Sequence, residues 1–132
     1  MRVFIDTSAF YALLDRDDVN HQEAKGAWPS VFSGTNALVT SNYVLVETFA
    51  LLQHRLGIEA VRGFQEEILP LVHIEFVNSE IHRLSISALL SALRRNLSLV
   101  DCVGFEVMRA LGIRTVFAFD PHFTEQGFSV IP

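Results

Sequence analysis

Met1-Arg-Val-Phe-Ile-Asp6-Thr-Ser-Ala-Phe-Tyr-Ala-Leu-Leu14 is the stretch around which the rest of the chain is organised. Val3, Phe4 and Ile5 form a short apolar run of β-branched and aromatic residues, the pattern of an inner parallel strand buried on both faces. At Asp6 the period changes: Phe10, Tyr11, Leu13 and Leu14 recur at helical spacing, and Thr7 or Ser8 can cap the first turn. A strand that passes straight into a helix through an aspartate leaves that carboxylate at the strand's carboxyl end. In open α/β sheets ligands bind in the crevice there, so Asp6 is the first candidate for chemistry.

The same alternation continues along the chain. Asp15 to Asp18 reads as a turn, and Asn20-His-Gln-Glu23 as a capped start to a second helix that Trp28-Pro29 should interrupt. Ala37 to Thr40 is a short strand, followed by a helix from Tyr43 to Leu56 that Ser41 or Asn42 caps and Gly57 closes. Ile58 to Leu69 reads as a helix stopped by Pro70, and Leu71 to Val77 as a strand. Asn78 or Ser79 opens a helix running to Arg94-Arg95-Asn96, where positive charge suits the helix dipole. Ser98-Leu-Val-Asp101 has the spacing of a capping box for a helix ending at Leu111-Gly112. Thr115 to Phe119 is another inner-strand run, ending on Asp120 as the first ended on Asp6, and Phe128 to Ile131 can add an edge strand. Residues 1–132 therefore predict a single α/β domain, a three-layer α/β/α arrangement on a central, mainly parallel sheet.

Half of the 132 residues are hydrophobic, enough for a core that folds alone. Fifteen acids against ten bases give a net charge of −5, which argues against broad nonspecific attraction to nucleic acid but leaves room for a local basic strip. The single cysteine, Cys102, cannot form an intrachain disulfide and reads as a small buried residue; no apolar run has the length of a membrane span, and no targeting signal precedes the first strand. The expectation is a cytoplasmic protein with no membrane association.

Glu47 and Asp101 lack what ordinary surface acids have. Their neighbours three and four residues away are Tyr43, Val44, Ala50 and Leu51 for Glu47, and Leu97, Ser98, Gly104 and Phe105 for Asp101; none is positive. A carboxylate on such a face is expensive to bury unless a cation or strong donors meet it. Asp101 alone has a second explanation as the third residue of a capping box, Asp120 before Pro121 as a turn residue, and Asp6 as a helix cap. Glu47 has none so simple. Taken jointly, Asp6, Glu47, Asp101 and Asp120 point to one acidic pocket whose oxygen ligands suit Mg²⁺ or Mn²⁺ rather than zinc.

These residues resemble a family. Ile-Asp6-Thr-Ser, Glu47 in a helix after a short strand, Leu-Ser-Leu-Val-Asp101-Cys, and Phe-Ala-Phe-Asp120-Pro-His-Phe followed by Gly-Phe look like a PIN domain, and more closely like the VapC-type toxin ribonucleases, over essentially the full length. The resemblance implies metal-dependent endonucleolytic cleavage of RNA, with Asp6, Glu47, Asp101 and Asp120 as the acidic metal-binding and catalytic quartet and Thr7 or Ser8 as the hydroxyl residue that follows the first acid. It also implies a cognate VapB-like antitoxin and a homodimer. Pro121 departs from the pattern, since relatives often carry a basic residue there.

For RNA contact Arg94 and Arg95 are the first choices, with Arg16, Arg55 and Arg62 behind them; the pair can equally complement a helix end. Among the five histidines none has zinc-ligand spacing, and only His122 stands near a candidate acid. Two rivals remain. Ile-Asp6-Thr-Ser also resembles the first motif of haloacid-dehalogenase-like phosphatases, which use the aspartate as nucleophile, yet Lys25, the only lysine, does not follow a later strand as their lysine does. The other rival is an RNA-binding PIN module without catalysis, which the intact quartet disfavours.

Overall fold

The computed structural model describes all residues, 1–132. Five parallel strands form one sheet in the order β3-β2-β1-β4-β5. They are β1 (Arg2–Ile5), β2 (Ala37–Ser41), β3 (Val72–Glu75), β4 (Thr115–Phe117) and β5 (Ser129–Ile131). Between them run α1 (Thr7–Leu14), α2 (His21–Val31), α3 (Asn42–Arg55), α4 (Ile58–Gly63), α5 (Ser79–Ala92), α6 (Leu99–Leu111) and α7 (His122–Glu125). β1 is the central strand, and Val3, Phe4 and Ile5 are fully buried, as a strand covered on both faces requires. The chain steps from β1 outward to β2 and β3, then returns across the sheet to β4 and β5. Right-handed crossovers thus set α1 to α4 on one face and α5 to α7 on the other. The turning point of that path lies at the carboxyl ends of β1 and β4, where Asp6 and Asp120 follow.

Local departures from the expected elements have local causes. Asp6, rather than Thr7 or Ser8, is the N-cap of α1: its side chain accepts from the Ser8 N–H. Asn20 precedes α2 without a side-chain cap, and α2 continues through Pro29 to Val31. Pro29 falls in the last turn, and Trp28 is stacked on Phe32 with ring centroids 5.5 Å apart. The helix expected over Ile58 to Leu69 is regular only to Gly63. Its continuation widens to a π turn over Phe64–Ile68 and tightens over Leu69–Leu71. The widening aims the fully buried Phe64 ring edge-on at Phe10 (5.0 Å) and Phe49 (5.4 Å). β3 is shorter than its apolar run, and Phe76 beyond it is exposed. α5 stops at Ala92 because Leu93 turns left-handed (φ 55°), so Arg94 and Arg95 lie in a loop and not at the helix end.

No helix is long and apolar enough to cross a membrane. The core joins both layers, and Gly104 on α6 shows how close they approach: a Cβ there would lie 3.4 Å from the Phe4 ring and 3.5 Å from Phe123. One methyl fits in ordinary contact, whereas a branched side chain does not. Gly104→Ala is therefore expected to hold or raise stability, by about 0.5–1 kcal/mol from helix propensity. Gly104→Val should lower it by about 1–3 kcal/mol through overpacking. Urea unfolding of both variants checks the opposite signs.

Candidate metal centre

Three of the four expected acids meet at the carboxyl edge of the sheet, each brought by a different element. Asp6 leaves β1 as the cap of α1, and its Oδ2 accepts from the Ser8 N–H (3.2 Å) and Oγ (2.7 Å). Asp101 lies in the first turn of α6, where the capping box forms in full: its Oδ2 accepts from Ser98 N–H (3.1 Å) while Ser98 Oγ accepts from its N–H (3.0 Å). Asp120 follows β4, and its Oδ1 accepts from the His122 N–H at 2.9 Å. Each carboxylate is thus pinned through one oxygen and leaves the other without a protein donor. No fully buried side-chain polar atom lacks a partner, so the free oxygens open to solvent.

No lysine or arginine pairs with any of the three. The electrostatics follow. Burial pushes the Asp6 carboxyl up to about 7, against the pull of the Ser8 bonds and with added repulsion from Asp101 and Asp120. Burial likewise raises Asp101 to about 6, opposed by Ser98 and reinforced by Asp120. Asp101, Asp120 and His122 offer possible ligand atoms within 4.8 Å of one another.

His122 is nevertheless committed elsewhere. Its Nε2 lies 3.0 Å from the Asn96 carbonyl, which makes Nε2 the donor. Its Nδ1 lies 3.3 Å from Arg94 Nη2 and 3.3 Å from Glu125 Oε1, within the Arg94–Glu125 pair. The buried ring ties the loop before α6 to the turn that carries Asp120, which makes it a positioning residue between two acids rather than a ligand. Sequence gave little sign of it beyond its distance of two residues from Asp120.

The hydroxyls also have separate tasks. Ser8 Oγ, besides donating to Asp6, accepts from the Phe119 N–H (3.0 Å), joining the first acid to the residue before Asp120. Thr7 donates to the Val44 carbonyl (3.5 Å) and accepts from Thr48 (3.4 Å), which seats α3 against the start of α1. Glu47 stands on that helix, half-buried, with no hydrogen bond or ion pair, beside Val100, the residue before Asp101. Neither Glu47 nor Asp6 belongs to the group of ligand atoms within 4.8 Å that Asp101, Asp120 and His122 form; Asp6 is joined to the two acids by charge repulsion, and Glu47 by neither.

The arginines divide. Arg94 is engaged by Glu125, Nη1 to Oε2 at 2.6 Å and Nη2 to Oε1 at 3.4 Å, which raises its own pKa and lowers that of Glu125. Arg95 is exposed and unpaired. Arg55 lies over the Tyr11 ring and Arg62 pairs with Glu59 and Glu66, while Arg16 is exposed. Lys25 is on the exposed side of α2, in a cleft with Leu13, His21 and Trp28, so the lysine a phosphatase would need is not beside Asp6.

A parallel α/β/α sheet with acids gathered at its topological switch, among them a group that could hold a metal ion, defines the class of fold and site to which this chain belongs. The family model for the PIN domain matches residues 3–129, and the chain belongs to that family. It is 35% identical over 127 residues to the 23S rRNA-specific endonuclease VapC20 of Mycobacterium tuberculosis, covering 96% of this chain and 95% of the relative. The crystal structure of that protein, described as a sarcin-ricin loop cleaving toxin, superposes with a TM-score of 0.87 over 98% of this chain and 99% of the other. FitAcB from Neisseria gonorrhoeae (15% identity, TM-score 0.71, 100% of this chain and 97% of that one) shares the fold. So does VapBC2 from Rickettsia felis bound to a promoter DNA fragment (12%, 0.72, 98% and 97%).

The raised carboxyls give a stability test. In the unfolded chain such groups titrate near 4, whereas folded Asp6 and Asp101 hold their protons to about 7 and 6. Between those values the native state binds more protons than the unfolded one. Stability of the metal-free protein should accordingly fall as pH rises from 5 to 8 and level off above the folded values. The expected loss is on the order of a few kcal/mol. Asp6→Asn should flatten most of that slope and Mn²⁺ should reduce it, because the cation replaces the protons. A flat profile for the metal-free wild type in urea titrations would overturn the raised Asp6 and Asp101 carboxyls.

Proposed function

We propose that this protein is a metal-dependent endoribonuclease that hydrolyses RNA phosphodiester bonds, the toxin of a VapBC-type toxin-antitoxin pair. The observation that carries the reading is the set of three pinned carboxylates, each with one free oxygen and none paired with a lysine or arginine. Asp6, Asp101 and Asp120 would hold Mg²⁺ or Mn²⁺, and Glu47 would close the site from α3. A bound divalent ion supplies Lewis acidity there, lowering the pKa of a water and offsetting charge on the phosphate. The chain's own contribution is preorganisation: Ser8, Ser98 and the His122 N–H hold the carboxylates in place, and Thr7 holds the helix of Glu47.

For the RNA backbone, Arg95 is the free cation beside the site, while Arg94, tied to Glu125, holds the loop that presents it. The identity with VapC20 over nearly the whole chain makes ribosomal RNA the substrate to test first. The same likeness supports a VapB-like antitoxin as partner. The homodimer that the family resemblance implies has apolar surface available on and after α5, where Leu90 and Leu93 are 68% and 89% exposed. A cytoplasmic location is supported by the free, buried Cys102 and the absence of a membrane-length helix.

Cleavage of a 23S rRNA fragment with Mg²⁺, Mn²⁺ or EDTA tests the reading. Activity should require the metal and fall at least a hundredfold in Asp6→Asn and in Asp101→Asn, with the fold retained. RNA binding without cleavage by the wild type would favour a non-catalytic module instead.

Arg95→Ala should weaken RNA binding and lower the slope of log K against log salt by about 1. An unchanged slope would take Arg95 out of the interface. For Glu47→Gln, melts should show a metal-free protein at least as stable as the wild type and a smaller Mn²⁺-induced shift. For scale, a hundredfold excess over Kd stabilises by about 2.7 kcal/mol.

A further inference from the structure

Beside the acids lies a cleft of about 360 Å³ lined by Asn42, Tyr43, Val46, Glu47 and Ala50 of α3 and Val100 of α6. We propose that it is a nucleobase subsite, in which a base of the RNA next to the cleaved phosphate stacks on Tyr43; the proposal rests on the endoribonuclease reading above.

Three features fit a base. First, the cleft adjoins the acidic centre: Val100 of its wall immediately precedes Asp101, and Glu47 of its wall is the acid proposed to close the site. A nucleotide chain whose phosphate sits at the carboxylates must lay a neighbouring nucleotide along one flank of them. Second, the walls offer what a base can use. Val46 is 71% exposed, an apolar surface directly beside a charged site, and Tyr43 supplies an aromatic ring. That ring is held in advance: its hydroxyl is hydrogen-bonded to His82 Nδ1 on α5, and the two rings stand 5.8 Å apart at 57°. Third, the cleft carries a donor. The Asn42 Oδ1 accepts the Val77 N–H at 2.9 Å, which fixes the amide and leaves its Nδ2 without a partner in the protein. A π face, apolar walls and one free amide donor match the face and the acceptor-bearing edge of a splayed-out base, the usual mode of single-stranded RNA recognition.

A second copy of the chain is a poorer occupant of this cleft. Covering it with protein would bury the unpaired Glu47 carboxylate, a large penalty unless the partner brought a cation to it. A base stacked on Tyr43 leaves Glu47 to the metal centre.

The test is steady-state cleavage of the 23S rRNA fragment in Mn²⁺, with the base preference beside the cut read by sequencing the products. Tyr43→Ala is expected to lower kcat/KM about tenfold or more, as loss of a stacked base does, and to relax the preference at one position beside the cut. Tyr43→Phe should fall between it and the wild type, because the ring stays but its tether to His82 is lost. Asn42→Ala should relax the preference at the same position. Val46→Glu, at an exposed site that tolerates the change structurally, should lower kcat/KM by repelling the RNA.

Wild-type kcat/KM and unchanged base preference in Val46→Glu and Tyr43→Ala would overturn the subsite while leaving the endoribonuclease reading intact. So would conversion of a dimer to monomers by Val46→Glu, seen by sedimentation, with kcat/KM per protomer unchanged; the cleft would then be a protein interface. If the wild type cleaves no RNA, the functional reading fails and the subsite falls with it.

Discussion

Three carboxylates that repel one another, gathered where water is scarce and no cation answers them, set the terms for the rest of this fold. Burial disfavours the charged form of Asp6 and Asp101, and each nearby acid disfavours it further. Such a cluster would relax apart if its members hung on flexible loops. Here each is locked by a local hydrogen-bond motif at the start of a helix or turn: Ser8 for Asp6, the Ser98 box for Asp101, the His122 amide for Asp120. The devices that cap the secondary structure are thus the same ones that aim the chemistry.

That arrangement works because the pinned groups rest on the stiffest part of the molecule. β1 is hydrogen-bonded to strands on both sides, and the Asp6 N–H itself bonds to the Phe117 carbonyl of β4 at 3.1 Å. The Thr40 hydroxyl donates to the Ile5 carbonyl at 2.8 Å, which ties the end of β1 to β2 one residue before the acid. On the other flank the His122 ring connects the Asn96 carbonyl to the turn of Asp120, so Asp101 and Asp120 cannot shift independently. Displacing any one acid would require breaking contacts in two layers.

Much of this was legible in the sequence, and the parts that were not share a cause. Buried strands announce themselves as apolar runs, and Glu47 and Asp101 stood out because no cation occupies the helical positions around them. The capping box at Ser98 is a local motif and formed as read. What escaped depends on partners far along the chain. Nothing near Arg94 indicates Glu125, 31 residues away, and without that pair the arginine reads as a helix-end charge. The role of His122 requires knowing where Asn96 lies. Phe64 draws the turn around it wide because Phe10 and Phe49 wait in the core, a preference that helical periodicity cannot express.

The charge balance then explains how an acidic protein can handle an anionic polymer. With a net charge of −5 and carboxylates clustered at the centre of its working edge, the metal-free protein repels a phosphate where it most needs one. Of the two arginines in the neighbouring loop, one is paired with Glu125, and only Arg95 is left exposed without an ion pair for the proposed backbone contact. In the proposed function, a divalent ion held by Asp6, Asp101 and Asp120 would supply positive charge that offsets the cluster and would attract a phosphate. If the proposed function holds, metal and RNA binding are thermodynamically coupled, each raising the affinity for the other by the same factor. The absence of a lysine or arginine among the acids, costly to the metal-free fold, would favour that coupling: an arginine placed there would stabilise the metal-free protein and compete with the ion.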